Sequence, residues 1–281
     1  MLFRWVTIVL LLGVSTLLSA HEVVIPRTSH FEARDSGYPI DLLIFVLNKA
    51  NFKHQLRVTN GLYSQARVVE SLKRNRLDVY WMGTSKEYED ILHAVPFPIY
   101  RGFLGYRIFI IHRDNQTRFN QVQTLNDLQH YIGVQGLGWS DIPILEYSGL
   151  KQLQSLYENL FKMINLGRGD YFSRSLQEVY GELKSRKPTL HSLAVEENLL
   201  LVYPLAMFFF TSHENVELSS AIERGFTLAY QDGSLLEFFY NHPDIKSAIE
   251  QSRLAERRRI DIPNPNLSER TLAIPKEYWH Q

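Results

Sequence analysis

Of the chain's 281 residues, 45% are hydrophobic and 21% charged, and 30 basic side chains are balanced by 30 acidic ones. A formal net charge of zero argues against bulk nucleic-acid or anionic-membrane binding, both of which rely on a basic surface. With no cysteine there can be no disulfide, no thiol nucleophile and no lipidated N-terminal cysteine.

The chain opens MLFRWVTIVLLLGVSTLLSA, with one positive charge at Arg4, an apolar run from Trp5 to Leu18, and small residues at Ser19 and Ala20. A membrane span needs about 20 apolar residues, so this shorter run reads as a secretory signal cleaved after Ala20. An uncleaved anchor is the alternative. No other segment has the composition of a span. Export without cysteine fits a bacterial periplasmic protein that is soluble after cleavage.

Helical and strand patterns then alternate, as in α/β layers. Glu22–Ile25 is a short apolar strand. Tyr38–Lys49 has apolar residues at helical spacing (Ile40, Leu43, Ile44, Leu47). Gln55–Val58 is strand-like, 63–74 is helical, and Leu77–Met82 is a buried-strand run. Tyr106–His112 (YRIFIIH) is strongly β-prone. Thr124–Asp127 is a capping-box pattern, and Tyr131–Gln135 is a strand. A turn over 136–140 leads to a helix starting near Ser140, with Pro143 tolerated in its first turn. Helical spacing over 156–166 ends at Gly167, a natural C-terminus. Asp170–Phe172 reads as a short strand and Ser175–Glu178 as a second capping box. These flanks account for Arg168-Gly169-Asp170 structurally, against its reading as an adhesion tripeptide. Leu199–Tyr203 and Met207–Thr211 are apolar strands around Pro204. Asn215 opens a helix with Leu218, Ile222, Phe226 and Ala229 inward, and a charged helix is expected over roughly 244–258.

Six of these pieces, in this order, resemble motifs of the bacterial family 3 solute-binding proteins, the amino-acid-binding-protein-like receptors with the periplasmic binding protein type 2 fold. They are Gly37-Tyr-Pro-Ile-Asp-Leu42, Leu77-Asp-Val-Tyr-Trp-Met-Gly83, Val95-Pro-Phe-Pro-Ile-Tyr100, Ile132-Gly-Val-Gln135, Gly167-Arg-Gly-Asp170 and Asp232-Gly-Ser234. The resemblance covers nearly all of the chain after the signal. It implies two α/β lobes with a ligand cleft between them. The first lobe would be discontinuous, 21–107 and 206–281, and the second would be 108–205. It also implies a small-molecule solute, captured by hinge closure and presented to an inner-membrane transporter, or to a membrane sensor kinase or cyclase.

The chain departs from the family at two charged anchors. Where amino-acid binders of the family carry an arginine for the ligand carboxylate, counting back from Pro98 reaches Glu89. Where they carry an aspartate for the ammonium group, counting on from Asp170 reaches Ser175, beside Arg174. A bidentate arginine–carboxylate clamp is hard to replace, so a standard α-amino acid is not the expected ligand. Arg174 and Arg101 are the replacement candidates and favour an anionic solute, the alternative being ion-paired or surface arginines. Phe31, Tyr38, Trp81 and Trp139 fall in cleft-lining segments and could stack on a planar solute, or else serve packing. Trp139 and Ser140 precede a helix N-terminus, whose free N–H groups suit an anion. The unusual anchors tilt the role towards sensing.

The ten histidines form no HxH, HxxH or HExxH pattern, and neither a Gly-x-Ser-x-Gly elbow nor a Walker loop is present. No metal, cofactor or catalytic residue is therefore expected. The carboxylate pairs Glu87/Glu89 and Glu196/Glu197 read as surface charge. A degenerate ligand-free interaction module and a dehydratase-like enzyme on the same fold are the alternatives to a solute-binding protein.

Overall fold

The computed structural model describes residues 20–28 and 37–280. The signal sequence, apart from Ala20, and the candidate Phe31 lie outside the described residues. The first lobe opens with β1 (His21–Thr28), α1 (Tyr38–Lys49) and β2 (His54–Tyr63). It continues through α2 (Gln65–Lys73), β3 (Tyr80–Gly83), α3 (Lys86–Ile91) and β4 (His93–Val95). In α1, Leu42, Leu43, Val46 and Leu47 are fully buried, and Pro39 in the first turn is preset for a helix. Ser64 caps α2 and Ser85 caps α3, each accepting a backbone N–H with its side chain.

The chain leaves through β5 (Tyr106–His112). The second lobe follows with α4 (Gln116–Phe119), α5 (Leu125–Leu128), β6 (Gly133–Gly136), α6 (Asp141–Tyr147) and β7 (Gln152–Ser155). Next come α7 (Tyr157–Asn165), β8 (Tyr171–Ser175), α8 (Leu176–Arg186), β9 (Leu193–Val195) and β10 (Leu199–Val202). Both expected capping boxes form, at Thr124/Asp127 and Ser175/Glu178. Asp170, the acid of the Arg-Gly-Asp tripeptide, accepts from Arg118 Nη1 at 2.8 Å and from the Ile132 N–H at 2.7 Å, an internal role.

β11 (Met207–Thr211) returns to the first lobe and is followed by α9 (Val216–Gln231), α10 (Ser234–Asn241) and α11 (Pro243–Ser252). β12 (Arg258–Asp261) and α12 (Glu269–Leu272) complete the chain. The smaller sheet runs β3-β11-β4, with the parallel pair β1-β2 beside it. Asp78 links the two, because its N–H donates to Val24 O at 2.9 Å and its carboxylate accepts the Val24 N–H at 2.7 Å. The larger sheet runs β12-β10-β5-β8-β6-β7, with β9 also on β5.

Two segments cross between the sheets, just before β5 and just after β10. They run backbone against backbone, with the Tyr203 N–H 3.1 Å from Gly105 O. A Cβ on residue 105 would lie 1.8 Å from the Tyr203 carbonyl oxygen, so only glycine allows this approach.

The C-terminal segment departs from its expected place. The helix expected over 244–258 ends at Ser252, and β12 pairs in parallel with β10, from Leu199↔Arg258 to Val202↔Asp261. Residues 258–261 therefore sit at the edge of the second lobe's sheet, not in the first lobe. Arg257 fixes this pairing by donating Nη1 to the carbonyls of Glu196 (2.7 Å) and Leu199 (3.0 Å). The tail then returns. Asn264 Nδ2 donates to Pro204 O at 2.8 Å, and Ser268 and Thr271 donate to Glu89 at 2.5 and 2.9 Å. Glu89 also accepts from Thr84 Oγ1 at 2.6 Å. Glu89 is 4% exposed and Glu196 0%. Both are buried anchors, contrary to the surface role read from their acidic neighbours.

A charge-compensated cleft between the two sheets

The carboxyl-terminal ends of β6 and β8 face the smaller sheet across a cavity of ≈ 120 Å³. Its first-lobe wall is the β3 run Tyr80–Gly83 with Met207 of β11 and Gln65 of α2. Its second-lobe wall is Arg107, Trp139–Asp141, Arg174 and Glu178. A wider pocket of ≈ 460 Å³ continues past Trp139 and Ser140, between α3 and the start of α6. A cavity of roughly 150 Å³ holds one benzene molecule, so the inner space is on the scale of a single small ring.

Arg174 is the penultimate residue of β8, next to the α8 capping box. It is 2% exposed, its Nε donates to Glu182 Oε2 and its Nη2 to Glu182 Oε1, both at 2.7 Å. Glu178 Oε1 lies 3.0 Å from the same Nη2. The guanidinium stacks over Trp139 at 4.8 Å and Phe172 at 5.0 Å. Burial opposes its charge, yet Glu178 and Glu182 outweigh that cost and hold its pKa above the ordinary arginine value.

Arg107 on β5 makes a second buried group. Its Nη2 pairs with Asp141 Oδ1. Its Nε donates to the Tyr203 hydroxyl at 2.8 Å, which in turn donates to Asp141 at 2.5 Å. Burial raises the Tyr203 pKa, keeping the phenol protonated, and the neighbouring Arg107 offsets part of that shift. Glu178 lies between the two arginines, with Oε2 3.8 Å from Arg107 Nη1. It is held by the Ser175 hydroxyl and, at 3.2 Å, by the Ser175 N–H.

Trp139 sits where Gly136 leaves room. A Cβ on residue 136 would lie 2.2 Å from the indole. The ring stacks on Phe172 at 6.1 Å with a 25° interplanar angle. Trp81 stacks on Tyr80 at 5.3 Å and 25° on the opposite wall. Ser140 lines both pockets.

Of the residues expected from the sequence, Arg174, Trp139, Trp81 and Ser140 meet at this cleft. Arg101 and Tyr38 do not. Arg101 has a left-handed backbone (φ 51°) and is 7% exposed. Its Nη2 donates to Trp279 O at 2.8 Å, and its carbonyl accepts the His280 N–H at 2.7 Å, so it docks the C-terminal tail. Tyr38 is 1% exposed in the first-lobe core, with Tyr100 and His242 each 5.1 Å from its ring. At the N-terminus of a helix facing α10 and α11, an aromatic packs inward. Arg107, Asp141 and Tyr203 were not expected, and Glu178 was read only as a cap. Among the described residues, no group of three or more His, Cys, Asp or Glu is placed to hold a metal ion, and no helix is long and apolar enough to cross a membrane.

No protein-family model and no curated protein matches the chain. Solved structures do. An ancestral arginine-binding protein bound to glutamine matches with a TM-score of 0.59 at 14% identity, over 80% of this chain and 99% of that one. A histidine kinase sensor domain with similarity to periplasmic binding proteins gives 0.58 at 12% identity, over 83% and 96%. A mutant of the arginine-binding protein of T. maritima gives 0.56 at 15% identity, over 82% and 94%. At such identities the fold is what is shared: the two-lobed α/β fold of periplasmic binding proteins.

Proposed function

We propose that this chain is a periplasmic solute-binding protein without catalytic activity. It captures a small solute between its lobes and presents it to an inner-membrane transporter or a membrane sensor. The observation that carries this reading is a ring-sized cavity with walls from both sheets, with Leu104 of the first crossing segment in its lining. A solute seated there contacts both lobes, so its binding energy favours the closed arrangement over an open one. The solute-binding proteins and the sensor domain that share the fold support either partner.

The carboxylates Asp141, Glu178 and Glu182 are all engaged by guanidiniums or hydroxyls. Such an arrangement holds charge in place rather than moving protons, which supports binding without turnover. A planar solute between Trp81 and Trp139 remains in keeping with the cleft. The anionic preference expected from Arg174 and Arg101 does not, because Arg174 is already paired with Glu182 and Arg101 docks the tail instead of entering the cleft.

That same self-pairing favours a second reading, a ligand-free module that is recognised by a partner. A thermal-shift screen of amines, amino acids, organic acids and aromatic compounds separates the two. A solute present at 100 times its Kd stabilises the native state by about 2.7 kcal/mol. Trp81 and Trp139 fluorescence reports whether a hit enters the cleft. A screen without any shift favours the module, and turnover of a hit makes the protein an enzyme.

A further inference from the structure

We propose that Glu178 fills the anion position of the cleft with the protein's own carboxylate, so that the cleft rejects anions and takes a small flat solute with a neutral or cationic head. The inference rests on the solute-binding reading above. Two guanidiniums aimed at one cavity ordinarily form an anion site. Here each is closed on a partner of its own, Arg107 on Asp141 and Arg174 on both oxygens of Glu182. The third carboxylate, Glu178, lies between them, 3.0 Å from Arg174 Nη2 and 3.8 Å from Arg107 Nη1. A solute carboxylate bridging the two arginines would need that same place.

Glu178 is also the most exposed of the charged groups in this cluster, four of which line the cavity. Its side chain is 26% exposed, against 2% for Arg107, 3% for Arg174 and 9% for Glu182. It is not free to swing away, because it closes the α8 capping box onto Ser175. The helix N-terminus further favours a negative charge at that position. Two guanidiniums here meet three carboxylates, and the most exposed of the three is Glu178. Across the cavity stand the stacked rings of Tyr80 and Trp81. A carboxylate in a cavity also lined by aromatic rings recognises a cation carried on a flat body, through a charge-assisted hydrogen bond and cation–π attraction. An amidine or an amine on one ring has that chemistry, and the cavity volume matches one ring.

Benzamidine and benzoate share a shape and carry opposite charges, so titration calorimetry of the two against the purified protein and its Glu178→Gln variant tests the proposal. Glutamine serves equally at this capping-box position, so the fold is expected to persist. The wild-type protein should bind benzamidine at least tenfold more tightly than benzoate. The variant should gain at least tenfold for benzoate and lose affinity for benzamidine. Benzoate bound by the wild type as tightly as benzamidine overturns the proposal, as does a folded variant with no gain for benzoate. If the variant does not fold, the wild-type preference alone decides. A wild type that binds other solutes but prefers benzoate sinks the role of Glu178 and leaves the binding function standing. A wild type without any ligand, beside a variant that gains benzoate, does the reverse.

Discussion

Arg174 and Glu182 are joined side-on by two hydrogen bonds of 2.7 Å, with 3% and 9% of their side chains exposed. Removing one partner of a buried pair leaves the other charge without compensation and costs about 3–5 kcal/mol. Arg174→Ala is therefore expected to lower the unfolding free energy by about that amount in urea titrations. A mutated surface arginine would change it by less than about 0.5 kcal/mol. The double variant Arg174→Met/Glu182→Leu should recover most of the loss, since apolar replacement of a whole buried pair is often neutral or better.

Gly105 lies where the two crossing segments touch. An alanine Cβ would meet the Tyr203 carbonyl oxygen at 1.8 Å and the Leu205 nitrogen at 3.2 Å, both backbone atoms that cannot rotate aside. Overpacking in a rigid setting costs about 1–3 kcal/mol. Gly105→Ala should fall at or above the top of that range in denaturant titrations. Because the clash separates the crossing strands, small-angle scattering of any folded fraction should show a larger radius of gyration.

Glu89 takes hydroxyl hydrogen bonds from Thr84, Ser268 and Thr271 at 4% exposure. It thereby ties the tail to the first lobe. Glu89→Ala leaves three hydroxyls without their acceptor, and hydrogen bonds to a charged group contribute about 1.5–3 kcal/mol each. Partial rehydration of the hydroxyls brings the expected loss to about 2–3 kcal/mol. Hydrogen exchange should quicken across residues 264–280 far more than in α9. Uniform quickening would mean that Glu89 supports the whole lobe rather than the tail.

The sequence carried the regular parts of this fold well. α1, β5 and β11 lie where their apolar spacing places them, and both capping boxes close as their residue types require. β12 was misread because RRID has one inward apolar residue, Ile260, and follows a helical run without a break. At the cleft, Trp81, Trp139, Ser140 and Arg174 were legible because they lie in β3, in the turn before α6 and near the end of β8, segments that border the cleft. Arg107 was not, since it sits inside an apolar strand and its partner Asp141 is 34 residues away. Nor can a loop position say which side of a crossing segment a residue takes, which is why Arg101 was placed in the cleft and not under the tail.

The tail also predicts a pH dependence. The His280 ring lies 4.5 Å from Phe103, and the His280 N–H donates to Arg101 O at 2.7 Å. Burial, helped by the Arg101 charge, lowers its pKa below the ordinary histidine value of 6.5. The folded state then holds fewer protons than the unfolded state between the lowered value and 6.5. Stability from this group is thus complete above pH 6.5 and is lost as pH falls through the folded value. Melting temperature should decline over that acidic interval, and His280→Gln should remove this part of the decline while keeping the backbone bond to Arg101. A wild type and variant with identical pH profiles would show that His280 does not couple the tail to protons. If acid loosens the tail, proteolysis at pH 5 should cut within 264–280 first, and the Glu89→Ala variant should already be cut there at pH 7.5.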